Sequence, residues 1–206
     1  MVAAGSGSRF GSRKQYELLR GRRVVDVSVD AARSALRSSG DGVVVVVPAD
    51  RVAEPIAGAD VVVAGGATRS ASVRAGLVAV PASAAVIVVH DAARPLASPA
   101  LFAAVVAALA GEGVDGAVPG VPVTDTVKRV RGDHVVCTLD RTELVAVQTP
   151  QAFRAEALRR AHASGLDATD DAALVETAGG RVVVVPGEAA NVKITTLADL
   201  TRAAGR

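Results

Sequence analysis

Tryptophan is absent from the 206 residues, tyrosine occurs once and phenylalanine three times. With 2% aromatics against 50% hydrophobics, the core has to be assembled from Val, Ala and Leu, which suits helices laid on a β-sheet. The one cysteine, Cys137, excludes an intrachain disulfide, and no Cys/His cluster has the spacing of a zinc site. Cys137 therefore reads as a small buried or half-buried hydrophobe. Neither sign of charge dominates: 23 basic and 21 acidic residues give a formal +2 without a long run of either, so nucleic acid is not indicated as a partner. No basic region followed by an apolar run opens the chain, and no uncharged apolar stretch approaches about 18 residues. The expectation is a soluble, cytoplasmic protein. Internal repeats and low-complexity linkers are also missing.

What is present is an alternation of strand and helix signals. Val43 to Val47, Val61 to Val63, Val86 to Val89 and Val182 to Val185 are continuous apolar runs, as strands buried on both faces of a parallel sheet would be. Between them lie helical stretches at Asp26 to Arg37, Arg69 to Leu77, Ser98 to Leu109, Arg154 to Ala163 and Asp170 to Thr177. Ser98-Pro99, Thr169-Asp170-Asp171 and Thr196-x-x-Asp199 mark helix starts, and Asp170 and Asp171 are sufficiently explained by capping. The pattern predicts an α/β fold with a doubly wound, mostly parallel sheet, in one domain spanning residues 1–206. Residues 118–147 interrupt it. Thr126 to Arg131 and His134 to Leu139 read as two strands around Gly132-Asp133, a protruding β-hairpin arm. Such a hairpin is marginal alone, so the arm is expected to dimerise with a second copy.

The chain opens with Val2-Ala-Ala-Gly-Ser-Gly-Ser-Arg9, followed by Lys14-Gln-Tyr16. Phe10 stands where a dinucleotide fingerprint needs Gly or Ala, and no Gly-Lys-Ser/Thr of a P-loop appears. Gly5-x-Gly7 alone is equally a tight surface turn. With the cations that follow, it reads as a cradle for a triphosphate. In an open parallel sheet, ligands bind beyond the carboxyl ends of the strands. That rule selects Gly65-Gly-Ala-Thr-Arg-Ser-Ala-Ser72, His90-Asp-Ala-Ala-Arg-Pro95, Asp125-Thr-Val-Lys128, Arg141, Val147-Gln-Thr-Pro-Gln151, Thr169-Asp-Asp-Ala172 and Asn191-Val-Lys-Ile-Thr195. Alone, Arg141 and Lys193 read as solvated surface cations, Asp91 as a cap, Asp125 as a turn residue and His90 as a core histidine bonded to backbone.

In this order the motifs resemble, nearly end to end, those of the 2-C-methyl-D-erythritol 4-phosphate cytidylyltransferases of the non-mevalonate isoprenoid pathway. The resemblance implies a Rossmann-like nucleotidyltransferase fold, transfer of a cytidylyl group from CTP to methylerythritol phosphate, Mg²⁺ as cofactor and a homodimer. It puts Arg9 and Lys14 at the triphosphate and the transition state, and Arg141 and Lys193 at the methylerythritol phosphate. Ala3, Ala4, Gly5, Ser6, Gly7, Gly65, Gly66, Ser72, Asp91 and Ala92 would bind CTP. Asp91 would also face the metal, held mainly through CTP phosphates and water. Arg94, Thr126, Thr149 and Thr169 would line the pocket of the alcohol phosphate, with Arg141 completing the opposite subunit's site. No catalytic role falls to His90.

Two departures stand out. Only Met1-Val2 precede Ala-Ala-Gly, where the family usually has a full strand, and Arg13 stands where it usually has proline, in a short loop between Arg9 and Lys14. Both concern rate more than substrate class. The alternatives are a cytidylyltransferase for another alditol phosphate such as ribitol 5-phosphate, or a CTP-binding protein of low activity because of the shortened first strand. Lys128 and Thr169-Asp-Asp-Ala172 favour methylerythritol phosphate.

Overall fold

A computed structural model describes residues 1–5, 10, 13–36 and 40–205. After a 3-10 turn at Lys14–Tyr16, a short ribbon of β1 (Leu18–Leu19) and β2 (Arg22–Arg23) leads into α1 (Val24–Ala35), β3 (Val44–Val47), β4 (Val61–Ala64), α2 (Arg69–Ala79), β5 (Val86–Val89) and α3 (Pro99–Ala108). Then come β6 (Gly116–Pro122), the hairpin β7 (Lys128–Arg131) and β8 (His134–Thr138), β9 (Val145–Val147), β10 (Gln151–Arg154), α4 (Ala155–Ala163), α5 (Asp171–Thr177), β11 (Val182–Pro186) and α6 (Leu197–Ala204).

The strands form the expected α/β sheet with two antiparallel additions, β10 and the short β9 paired to the end of β6. β3 and β4 are parallel, as are β6 and β11, while β10 lies antiparallel between β5 and β6. The sheet is therefore mixed, with β5 and β6 running the same way on either side of the reversed strand. Gln-Ala-Phe-Arg carries no β-branched run, so nothing in its composition announced β10. Val2 joins the two halves by parallel bridges to Val46 and to Asp91. Its N–H donates to the His90 carbonyl at 2.7 Å and its carbonyl accepts from Ala92 N–H at 3.0 Å, while Ala3 N–H donates to Val46 O at 2.7 Å. The hydrogen bonds of a central strand are thus made on both sides over a very short length.

Alternation along each strand feeds two cores. Val45 and Val47 pack against Val25 and Val29 of α1, whereas Ile87, Val89 and Phe153 meet Val73, Leu77, Leu158 and Leu174 from α2, α4 and α5 on the other face. Val88 and Ala152 turn back to the first face, under Val105 of α3 and Leu109 just after it. Gly116 sits against the Phe153 ring, where a Cβ would lie 2.7 Å from the ring edge. Burial on both faces holds for β3 but not for β4 or β11, each hydrogen-bonded along one side among the described strands, which leaves Val61 and Val184 exposed.

The helix signals fall where expected, shifted by a residue or two. Ser98 accepts from Leu101 N–H ahead of Pro99, and Thr196 and Asp199 form a reciprocal capping box. α1 starts two residues before Asp26, and Arg37 lies outside the described residues. Asp170 caps α5 by accepting from Ala173 N–H, but Asp171 does something else, described below. The hairpin turns at Gly132, whose φ of +60° requires its lack of a side chain. Among the described residues its strands pair only with each other, and Lys128 Nζ donates across to Thr138 Oγ1 at 2.6 Å. Cys137 is half-buried there. Among the described residues no helix is long and apolar enough to cross a membrane.

Candidate active site

The ends of β3, β4 and β5 and the segment after Val2 converge on one edge of the sheet. Ala3 is buried, and the carbonyls of Ala3 and Gly5 both accept from Gln15 Nε2, at 2.7 and 2.9 Å. Gln15, the residue after Lys14 in the chain, is thereby anchored against Ala3 and Gly5. Ser6, Gly7 and Arg9 lie outside the described residues. Gly65 follows β4 in close approach: a Cβ there would stand 2.4 Å from Ala4 Cβ and 2.8 Å from Ser72 Oγ. Ser72 Oγ accepts from Gly66 N–H at 3.2 Å and donates to Thr68 O at 2.9 Å, tying α2 to the Gly65-Gly66 turn. Ala4, Gly65, Gly66 and Ser72 are thus brought together. Ala92 adjoins them but commits its N–H to Val2 and its methyl group to the core.

Beside this corner, Arg69, Asp91, Arg94, Val147, Gln148, Thr149, Gln151, Thr169, Asp170 and Lys193 line a cleft. Asp91, at the end of β5, accepts from Lys193 Nζ at 2.6 Å and from Arg69 Nε at 3.1 Å. Arg69 also donates from Nη1 to Asp171 at 2.8 Å, and Asp171, fully buried, takes a second bond of 2.8 Å from His162 Nε2. Burial alone would raise the Asp91 carboxyl, but the Arg69 and Lys193 cations outweigh it and hold it well below the usual carboxylate range. Burial alone would make Arg69 easier to deprotonate; the carboxylates of Asp91 and Asp171 reverse that and raise it.

His90 is a core histidine. Burial pushes its imidazole down to about 3, so the ring is neutral at pH 7. Thr149 Oγ1 accepts from Asp91 N–H at 3.0 Å and lies 3.1 Å from His90 Nδ1, while His90 Nε2 lies 3.1 Å from Arg94 O. The consistent assignment has Thr149 donating to Nδ1 and Nε2–H donating to the carbonyl. Thr149 lines the cleft, yet its hydroxyl serves His90 and the Asp91 backbone. Thr169 is exposed at the rim. Gln148 holds the segment carrying Lys193: its Nε2 donates to Glu188 O at 2.8 Å and its Oε1 accepts from Glu188 N–H and Asn191 Nδ2. Arg94 donates to Asn191 O at 2.7 Å, and burial lowers its pKa.

Arg141 and Thr126 are not in this cleft. Both are exposed on the arm side of β6, with Arg141 Nη1 donating to Thr124 O at 2.6 Å. Sequence reasoning passed over Arg69 although it closes the Gly-Gly-x-x-Arg motif, and it assigned Asp171 to capping, whereas Asp171 is a buried ion-pair partner. Gln15, Gln148 and Asn191 stood in quoted motifs without a role. Their type was the available signal, because a buried carboxamide has to find several partners.

Three cations and two carboxylates, Asp91 and Asp170, face the cleft. Arg69 Nη2 and Arg94 Nε are buried without a protein partner among the described residues, which leaves N–H donors suited to phosphate oxygens. No group of three or more His, Cys, Asp or Glu side chains gathers as a metal cage among the described residues. The donor set instead fits a hard cation held by Asp91 and by the phosphates of a substrate.

The family profile described as IspD, 2-C-methyl-D-erythritol 4-phosphate cytidylyltransferase, matches residues 1–205. A 2-C-methyl-D-erythritol 4-phosphate cytidylyltransferase of Rubrobacter xylanophilus is 51% identical over 120 residues, 56% of this chain and 52% of that protein. A bifunctional enzyme IspD/IspF of Anaeromyxobacter dehalogenans is 45% identical over an alignment covering 98% of this chain and 55% of that protein. The chain thus matches about half the length of these curated relatives, and 30% of the bifunctional enzyme IspD/IspF of Nitratidesulfovibrio vulgaris. The crystal structure of 2-C-methyl-D-erythritol 4-phosphate cytidylyltransferase from Thermus thermophilus superposes with a TM-score of 0.82 at 37% identity, covering 99% of this chain and 95% of that one.

Proposed function

The chain belongs to the 2-C-methyl-D-erythritol 4-phosphate cytidylyltransferase family, and we propose that it transfers the cytidylyl group of CTP to methylerythritol phosphate, releasing pyrophosphate. The observation that carries the reading is the cleft at the strand ends, where Arg69, Arg94 and Lys193 surround Asp91 beside a corner too tight for any side chain at Gly65. The corner fits a flat base and the cations fit phosphates.

In this mechanism a phosphate oxygen of methylerythritol phosphate attacks the α-phosphorus of CTP in line, and the bond to the β-phosphate oxygen breaks, its electron pair leaving with pyrophosphate. A phosphate monoester has a second pKa of about 6, so near neutral pH it is already a nucleophile and needs no general base. The neutral, internally bonded His90 agrees with that. The difficulty is juxtaposing two polyanions, which fixed cations relieve. Lys14 and Arg9 serve the triphosphate; Lys193 and Arg94 orient the attacking phosphate; Asp91 takes the ribose and, with the CTP phosphates, Mg²⁺, which when bound spreads the developing negative charge.

The arm is proposed to join two copies. Val130, Val135 and Val136 are 59, 61 and 53% exposed on a hairpin that pairs with no other strand among the described residues, a surface that costs free energy unless covered. A second copy laid on it also gives Arg141 a role across the interface. Pyrophosphate release from CTP and Mg²⁺ tests the function: it should require methylerythritol phosphate and proceed more slowly with ribitol 5-phosphate. Release independent of either alcohol would overturn it.

A further inference from the structure

Asp171 is the most deeply buried carboxylate of the described chain, and nothing above uses it. It sits in the first turn of α5, faces away from the cleft, and receives two donors: His162 Nε2 from α4 and Arg69 Nη1 from α2, each at 2.8 Å. A carboxylate is acceptor-only, so His162 must carry its proton on Nε2, and its Nδ1 is left buried without a partner. The ring is therefore placed for Asp171 rather than for a network of its own. A cap would not need this, since Asp170 already fills that place.

The consequence lies at the other end of Arg69. Its guanidinium spans two carboxylates, holding Asp171 through Nη1 and reaching Asp91 only through Nε, at the longer distance of 3.1 Å. Planar guanidinium forks favour bidentate pairing with a carboxylate. A buried Arg69 without Asp171 would have one anion left to pair with, and would turn its fork fully onto Asp91. Asp91 would then be withdrawn from whatever enters the cleft.

We infer that Asp171, held by His162, is a positioning residue for the nucleotide site: by engaging one arm of Arg69 it keeps Asp91 singly bonded to that arginine, so that Oδ2, which accepts from Lys193 at 2.6 Å, is not also drawn into the guanidinium fork and stays within reach of CTP. The inference rests on the reading of Asp91 as a CTP contact. It makes the relay His162–Asp171–Arg69–Asp91 a connection from the α4–α5 contact on one sheet face to the substrate cleft.

The test is a double-substitution cycle with CTP binding by calorimetry and steady-state kinetics as readouts. Asp171→Asn, close to isosteric, should weaken CTP binding and raise KM for CTP about tenfold, the effect of losing one charged hydrogen bond, while kcat at saturating CTP changes much less. In an Asp91→Asn background the same substitution should add little, because residues acting through one another are not additive. Leu174→Ala, a buried change in the same helix, controls for loss of stability: it should lower Tm and leave KM for CTP alone. Should Asp171→Asn not fold, His162→Phe carries the test, with an expected rise of about threefold from the weaker restraint on Asp171. Full additivity of Asp171→Asn and Asp91→Asn, or an equal KM rise in Leu174→Ala, would overturn the relay while leaving the site reading standing. Unchanged CTP binding in Asp91→Asn alone would overturn both.

Discussion

Replacing Gly65 by Ala puts the corner where the base is proposed to lie under direct load. The backbone at Gly65 tolerates alanine, since its φ is not in the left-handed region, so the cost is one of space. The new Cβ would stand 2.4 Å from Ala4 Cβ, 2.8 Å from Ser72 Oγ and 3.2 Å from Val46 Cγ1. Relief by backbone movement is limited, because the flanking Ala3 N–H donates to Val46 O at 2.7 Å and Gly65 N–H donates to Val47 O at 2.8 Å. Overpacking of this kind costs about 1–3 kcal/mol. For a chain of this size that is a fall in Tm of roughly 2–12 °C. The displaced Ala4 and Ser72 would narrow the base site, and a misfit of one methyl group in such a pocket is worth about tenfold or more in KM for CTP. Gly5→Ala is the comparison: among the described residues nothing lies within 4 Å of the Cβ it would add, so Tm should hold while KM for CTP rises if the nucleotide approaches that backbone. Calorimetric melting and CTP titrations read both. A Gly65→Ala protein with unaltered Tm and unaltered KM would refute the close approach and the base site built on it.

Lys14→Ala should lower kcat by about 100-fold or more, as loss of comparable electrostatic contacts does, measured as pyrophosphate release at saturating substrates. His90 predicts acid sensitivity: its folded pKa of about 3 lies below the unfolded value of about 6.5, so its contribution is full above pH 6.5 and is lost as pH falls towards 3, at up to ~1.4 kcal/mol per pH unit. Asp91, also depressed, adds a second loss below the usual carboxylate range; a Tm flat between pH 7 and 4 would contradict a buried neutral imidazole. If Arg141 completes the partner's site, mixing Lys14→Ala with Arg141→Ala under confirmed subunit exchange should restore about a quarter of all sites for random pairing in a two-fold dimer, and unrestored activity would remove Arg141 from that role.

The valine runs disclosed β3, β4, β5 and β11 because β-branched residues favour extended backbone, even though only β3 is buried on both faces, and the caps disclosed α3 and α6 because Ser98 and Thr196 had no other use. β10 was invisible for the opposite reason: Gln151, Ala152, Phe153 and Arg154 are held as a strand by β5 and β6 on either side, not by their own preference. The short first strand is another case. Two residues are too few for a sheet by count, yet Val2 bonds to His90 and Ala92 on one side while Met1 and Ala3 bond to Val46 on the other, as a central strand does. The strand-end rule picked out the segments carrying Asp91, Arg94 and Lys193, only the family resemblance gave those residues a role, and the fold brings all three into one cleft. The path by which Arg69 joins Asp91 to Asp171 crosses about 100 residues of sequence separation, with partners on α2, β5 and α5. No local pattern encodes such a pairing; the packing of α4 and α5 on the sheet creates it.

Phosphorus NMR of the complete reaction tests the central claim most directly. With CTP, Mg²⁺ and methylerythritol phosphate, the monoester resonance should disappear as two mutually coupled diphosphate signals and free pyrophosphate grow in equal amounts, faster than with ribitol 5-phosphate in a parallel sample. Pyrophosphate appearing while the monoester resonance persists, or faster consumption of ribitol 5-phosphate, would contradict the assignment.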